Sequence, residues 1–238
     1  LLTGPFAHCG IRWGLTGTVP KADYEFMGLK CSIGDVSNRI QASELQDKGV
    51  LANCHVNVLQ TQDHPQFKTY GEELKWLTTD KTRMKWVANT IKDISSSGNT
   101  LILVDRISAG EILEEQIDDA VFVSGSTKNT DRKEQYDEIS TATNKVIIAT
   151  YGVAAVGINI PRIFNLVLIE PGKSFVRVIQ SIGRGIRKAE DKDSVQIWDI
   201  TSSCKFAKRH LGARKKFYKE ANYPYNIEKI NYENPYTR

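Results

Sequence analysis

Arg177, Gln180, Arg184 and Arg187 stand three, four and three residues apart in the stretch SFVRVIQSIGRGIRK, a spacing that puts them on one side of a helix. Phe175, Val178, Ile179, Ile182 and Ile186 fall on the opposite side, so the helix is amphipathic. Like charges stacked at this spacing repel by roughly 0.2–0.5 kcal/mol per pair, and an anion must offset them. A neighbouring carboxylate could do so, and so could a bound phosphate. Gly183 and Gly185 flank Arg184. Each costs a helix about 1 kcal/mol, but each also removes bulk, so a ligand or another backbone can come close. A guanidinium grips phosphate oxygens in pairs and keeps its charge, so the chemistry on offer is phosphate binding and stabilisation of negative charge.

Just upstream, Gly172-Lys173-Ser174 has the last three residues of a phosphate-cradling loop, G-x-x-x-x-G-K-[ST]. That loop needs extra residues whose N–H groups wrap the phosphates. Here the position five before Gly172 is Val167, inside the apolar run FNLVLIE, and only Pro171 and Gly172 remain for a loop. The sequence therefore predicts no triphosphate cradle, and Ser174 is expected to cap the helix that follows. Asp105 ends the run TLILVD but is followed by Arg106 rather than a second acid, and Asp137-Glu138 lies in a helical pattern. The chain offers no means of holding ATP alone.

The elements that must position these residues alternate. IRWGLTGTVP reads as an apolar strand, ADYEFMGLKCSIG as a helix, and SELQDKG as a short helix capped by Ser43 and stopped by Gly49. VLANCHVNVLQT alternates as a strand does, and QDHPQFKTYG reads as a linker. From residue 80 a helix capped by Asp80 carries Met84, Val87, Ile91 and Ile94 on one face and stops at Gly98. The runs TLILVD, AVFVSG, KVIIAT, FNLVLIE and SVQIWDI are almost wholly apolar and are separated by helical patterns. That alternation predicts an α/β fold with a buried parallel sheet. KFAKRHLGARKKFYKEA reads as a basic helix with Phe206, His210, Ala213, Phe217 and Ala221 along one stripe, followed by an irregular end. Lys208, Arg209, Lys215, Lys216 and Lys219 surround the stripe. They either snorkel over the domain or offer a further surface to a polyanion.

Charge is unevenly placed along the 238 residues. Residues 1–172 hold 17 Lys and Arg against 21 Asp and Glu, while residues 173–238 hold 15 against 7, within a net charge of +4. A basic last third suggests a polyanionic partner. Cys9, Cys31, Cys54 and Cys204 are scattered without a CxxC pair and read as reduced cytoplasmic thiols. His8-Cys9 and Cys54-His55 lack zinc spacing, so no metal site is expected. No apolar run approaches the roughly 18 residues of a membrane helix, and no membrane partner is expected. LLTGPFAHCG has neither a basic start nor a cleavage site, so it does not read as a secretory signal. The chain reads as starting within an element, as a fragment would.

Taken in order, several of these stretches resemble superfamily 2 helicases. QSIGRGIRK is similar to their motif VI, Q-x-x-G-R-x-x-R, and VIIATYGVAAVGINIPR to motif V. LTGT at 15–18 resembles motif III. TLILVDRISAGEIL resembles the strand and helix of motif IV, and VFVSGSTKNTDRKEQYDEI the unit after it. The order holds over about 200 residues. The wording of motif VI is similar to phage recombination and fork-remodelling helicases of the UvsW kind.

The resemblance implies a RecA-like parallel sheet flanked by helices over residues 63–202, preceded by a remnant of a first RecA-like domain over residues 1–62 and followed by a basic helix and tail over 203–238. It implies the C-terminal motor half of an ATP-dependent DNA helicase, acting in unwinding or branch migration during recombination, repair or replication. The upstream RecA-like domain would hold most of the ATP and Mg2+, and the partner would be single-stranded or branched DNA. By the same resemblance Arg187 is the arginine finger, with Arg184 beside it and Gln180 orienting the site. Gly157 and Asn159 lie near the nucleotide, although the family has Asp where this chain has Asn159. Thr16, Gly17 and Thr18 couple the ATP and DNA states. Thr150, Gly125, Ser126, Lys128 and Arg106 line the DNA track. If phage-encoded, the protein would work in the host cytoplasm. The alternative is a nucleic-acid-binding module that kept the fold without an ATPase partner.

Overall fold

The computed structural model describes residues 4, 7–16, 19, 23–40, 42–125, 142–157, 162–174, 183 and 192–232. Backbone contacts divide the chain into two units, Leu1–Gln41 and Ala42–Arg238. In the first, Arg12 donates to the carbonyl oxygens of Cys9, Ser32 and Ala7 at 3.0, 2.9 and 2.6 Å. It so ties the N-terminal segment to helix α1 (Asp23–Ile33), none of whose residues is buried. Among its described residues, 11–16 and 19, the strand expected over IRWGLTGTVP is not formed. Residues 11–16 have no regular structure, and Ile11, Trp13 and Leu15 are exposed. Alternation alone does not make a strand where no neighbouring strand accepts its hydrogen bonds.

The second unit is built on a sheet of seven strands, all parallel. The strands are β1 (Asn53–Thr61), β2 (Thr100–Val104), β3 (Ala120–Val123), β4 (Val146–Thr150), β5 (Asn165–Ile169), β6 (Ser194–Ser202) and β7 (Tyr225–Ile230), in spatial order β3-β4-β2-β5-β6-β1-β7. The described helices of this unit are α2 (Ala42–Asp47), α3 (Tyr70–Leu77), α4 (Lys81–Ser95), α5 (Ile107–Gln116), α6 (Tyr151–Gly157) and α7 (Lys205–Glu220).

Both faces of the central strands are covered, which is why β2, β4 and β5 are almost wholly apolar. Leu101, Leu103, Ile147, Ala149, Leu166 and Leu168 point to a core shared with Val153 and Ala154 of α6 and Leu211 and Tyr218 of α7. The alternate residues Ile102, Val104, Val146, Ile148, Val167 and Ile169 point to a second core. That core is filled by Met84, Val87 and Ile91 of α4 and Ala109 and Leu113 of α5. Each such side chain contributes about 1.5–3 kcal/mol by leaving water.

The local signals act as elementary chemistry requires. Asp80 accepts from the Arg83 N–H at 2.9 Å and starts α4, and Gly98 ends the connection with φ +144°, where an added Cβ would meet Phe164 at 2.9 Å. Three differences from the sequence reading concern connectivity. QDHPQFKTYG is not a linker: Asp63 is buried at the end of β1, and Thr69 and Glu72 form a capping box that starts α3. Strand β1 therefore belongs to the second unit, paired to β6 from Asn53↔Ser194 to Thr61↔Ser202, whereas the sequence reading closes a first domain at residue 62. The tail after α7 also joins the sheet, since β7 pairs with β1 from Val56↔Tyr225 to Thr61↔Ile230. Ser43, expected as a cap, lies inside α2, and Gly49 follows that helix with φ +66°.

Candidate functional site

In an all-parallel sheet every strand ends on the same edge, and ligands sit where neighbouring strands send their connections to opposite faces. Among the described connections this happens at two places, between β6 and β1 and between β4 and β2, and at the second Thr150 is paired to Val104. After β4 the chain enters α6, on the face of the first core. After β2 it passes Asp105 and Arg106 into α5, on the opposite face. Thr150 and Arg106 so flank a crevice, with Gly125 two residues beyond the end of β3 on the next strand out.

Thr150 accepts a long hydrogen bond, 3.4 Å, from the Val153 N–H, so its hydroxyl sits at the start of α6. Arg106 occupies the N-cap position of α5 in an extended conformation without a side-chain capping bond. Its Nη2 reaches the Gly71 carbonyl at 3.4 Å, and its Nε is buried without a hydrogen-bond partner among the described residues. A cationic fork with an unused donor, one strand over from a threonine at a helix start, suits an anion, as a phosphate oxygen would be.

One connection further along the same edge lies a buried ionic network that the sequence reading misses. Glu170 follows β5 with φ +42°. Its carboxylate accepts from Arg83 Nη2 at 2.8 Å and from the Thr201 hydroxyl at 3.2 Å. Arg83 also donates to the Leu77 carbonyl. Its Nε lies 3.6 Å from Asp63 Oδ2, within ion-pair range but beyond a hydrogen bond. Asp63 accepts from the hydroxyls of Thr61, Ser202 and Tyr232, each at 2.6 Å. Burial pushes the Glu170 carboxyl up to about 7 against the opposing pull of Arg83 and Arg214.

A second buried cluster fixes the residues that mimic a phosphate loop. Arg214 of α7 makes a forked pair with Asp199 at 2.8 and 2.9 Å and donates from Nη1 to the Gly172 carbonyl at 2.7 Å. Tyr218 donates to the same carboxylate at 2.7 Å. Burial works against the charge of Arg214, and Asp199 more than reverses it, with Tyr218 and Glu170 adding, so the guanidinium stays charged. Gly172 has φ +71°, and β5 runs to Ile169 with Val167 fully buried in it. The segment therefore fits a triphosphate poorly: two residues separate strand from Gly172, whose carbonyl is already engaged, and no cradle of N–H groups can form.

The face that α7 buries is not the expected stripe. Ala207, His210, Leu211, Arg214 and Tyr218 are buried, whereas Phe206, Ala213 and Phe217 are only partly so. The start of α7 is capped from another element, because Glu73 of α3 accepts from the N–H groups of Ala207 and Phe206 at 2.7 and 3.1 Å.

Of the residues singled out from the sequence, Arg106, Thr150 and Gly125 come together at three neighbouring strand ends, and Gly157 closes α6. Thr16 is exposed in the first unit. Gly17, Thr18, Ser126, Lys128, Asn159, Gln180, Arg184 and Arg187 lie outside the described residues. Gly183 is described as helical and exposed, with open space where a Cβ would stand. Among the described residues no group of three or more His, Cys, Asp or Glu is placed to hold a metal ion, and no helix is long and apolar enough to cross a membrane.

Comparison with known proteins converges on one group. Residues 82–189 match the helicase conserved C-terminal domain. The chain is 26% identical over 221 residues to the ATP-dependent DNA helicase uvsW of Enterobacteria phage T4, covering 88% of this chain and 44% of that protein. The crystal structure of T4 UvsW superposes with a TM-score of 0.65 at 23% identity, over 76% of this chain and 42% of that one. The Escherichia coli DEAD-box protein SrmB, solved bound to a regulator of ribonuclease activity, superposes with a TM-score of 0.54 at 18% identity, over 78% of this chain and 96% of that one. The chain spans less than half the length of the curated relatives it matches.

Proposed function

We propose, from the match of residues 82–189 to the helicase conserved C-terminal domain, that the chain is the C-terminal motor half of an ATP-dependent DNA helicase or translocase of superfamily 2. Such a motor would unwind or branch-migrate recombination or replication intermediates. The observation that supports the reading is the row of neighbouring strand ends β3, β4 and β2, at which Gly125, Thr150 and Arg106 stand in turn, with Arg106 keeping a buried donor unused.

In this reading DNA crosses the strand ends, with Thr150, Gly125, Ser126, Lys128 and Arg106 on its phosphates. Contacts of that kind are independent of sequence and weaken with salt. A preceding RecA-like domain would hold ATP and Mg2+. Gln180, Arg184 and Arg187, with Gly157 and Asn159, would face the triphosphate from this side, and Thr16, Gly17 and Thr18 would couple the two states. An arginine so placed is worth about 10³–10⁵ in rate, and it reaches the nucleotide only when the two domains close. The Gly172-Lys173-Ser174 turn has no part in holding the triphosphate.

The test is Arg187→Ala in the protein that joins this chain to its P-loop domain. ATP turnover should fall at least a thousandfold while DNA affinity changes less than about threefold. Turnover like that of the wild type would remove the arginine-finger assignment. A full-length protein without DNA-stimulated turnover would favour the binding-module alternative.

A further inference from the structure

The outer face of α7 is cationic from end to end. Lys205, Lys208, Arg209, Lys216 and Lys219 are exposed and Lys215 is half-exposed, while Glu220 is the only carboxylate of the helix. Among the described residues none of these six makes an ion pair. Lys205 with Lys208 and Arg209, and Lys219 with Lys215 and Lys216, stand three or four residues apart and repel. Lys205 lies over the Phe206 ring, 5.5 Å from its centroid, and among the described residues no carboxylate pairs with any of the six.

Two further observations bear on the same face. Gly212 lies between Arg209 and Lys216, and a Cβ there would meet nothing within 4 Å. A mid-helix glycine costs about 1 kcal/mol against alanine, and no packing requires this one. It leaves a notch in the row of cations through which another backbone can approach. Lys173, exposed beside the Gly172 turn, extends the patch. Arg214 of α7 donates to the carbonyl of the preceding residue, Gly172, at 2.7 Å, so Lys173 leaves the turn beside the helix.

We propose that the outer face of α7, flanked by Lys173, is a second surface for the phosphate backbone of nucleic acid, distinct from the crevice at Arg106 and Thr150. Its 16 residues give a rod of about 24 Å, enough to follow roughly seven phosphate steps along one strand of a duplex. The helix starts at the strand-end edge where the crevice opens and runs down the outside of the sheet, so one nucleic acid can meet both. Lysines suit this role: they act as mobile point charges that track a backbone without reading bases. The proposal takes from the function above only that the polyanion is nucleic acid.

The test replaces Lys208, Arg209, Lys216 and Lys219 together by Gln in the full chain and measures affinity for a labelled 30-base-pair duplex across a salt series. Loss of these contacts should weaken binding at least tenfold at 0.1 M salt and lower the slope of log affinity against log salt by about three to four. A companion carrying Arg at all four positions should keep the wild-type slope. An unchanged slope in the Gln variant, with the same melting temperature as the wild type, would overturn the proposal. So would a loss confined to phosphatidylserine vesicles. Arg106→Ala, measured alongside, separates the two sites: if it weakens binding and the α7 variant does not, the crevice stands and this surface falls. If neither weakens binding, both fall.

Discussion

The Arg214 guanidinium donates from Nη1 to the Gly172 carbonyl at 2.7 Å while gripping Asp199 through its other two nitrogens, Nε and Nη2. A helix near the end of the chain thereby fixes the backbone turn from which residues 173–187 depart. Removing this side chain leaves the Asp199 carboxylate buried with only Tyr218 to balance it. Breaking one partner of such a pair costs about 3–5 kcal/mol. Arg214→Ala should lower the unfolding free energy by about that amount in urea denaturation, and Arg214→Lys by less, since it keeps the charge but loses the fork.

Glu170 gives a pH dependence with a defined sign. Burial, opposed by Arg83 and Arg214, holds its carboxyl at about 7, so the folded protein keeps a proton that the unfolded chain releases near the ordinary carboxylate range. Stability from this group is full at low pH and declines as pH rises towards 7, by on the order of 1–3 kcal/mol. Urea midpoints at pH 5, 6 and 7.5 should show that decline, and Glu170→Gln should flatten it. A slope that survives the substitution would assign the titration to another group.

Gly110 packs against the ring of Phe122, which an added Cβ would meet at 2.3 Å. Gly110→Ala gains helix propensity in α5 yet forces that ring aside. The clash wins, because overpacking costs about 1–3 kcal/mol against the roughly 1 kcal/mol gained. Thermal unfolding should show a lower melting temperature for Gly110→Ala, and Phe122→Leu in the same chain should return part of the loss.

Glu73 of α3 caps α7 through two backbone N–H groups. Glu73→Gln keeps the shape and one acceptor but gives up the charge that favours a helix N-terminus. It should cost about 1–2 kcal/mol. Glu73→Ala should cost more and speed hydrogen exchange at Phe206 and Ala207. Protection unchanged at those two amides would show that the cap has another source.

Much of this fold is legible in the sequence because its signals are local. Asp80 opens α4 and Gly98 closes the turn after it, and the apolar runs of β2, β4 and β5 announce strands buried on both faces. What escapes reading depends on distant partners. Arg214 looks like a solvent residue until Asp199 is placed beneath it, so the apolar stripe of α7 is misread by one position. YNIEKI becomes a strand because β1 accepts its hydrogen bonds, not because its composition demands it. The Thr69–Glu72 capping box was readable, but Pro65 and Gly71 around it argue for a loop. At the candidate site, Arg106 and Thr150 are singled out by resemblance. The reason they meet, opposite turns of the chain after adjacent strands, is a property of topology alone.

The placement of β1 bears on how the molecule is made. Both of its partners, β6 and β7, are translated near the other end of this chain, and the Thr61 hydroxyl donates to the Thr201 carbonyl across 140 residues. At about 5–20 residues per second a ribosome leaves β1 without neighbours for on the order of 10 s. During that interval its two open edges can recruit the same strand from a second nascent chain. Yield in the cell should therefore respond to translation speed and chaperone supply more than to the final stability of the sheet.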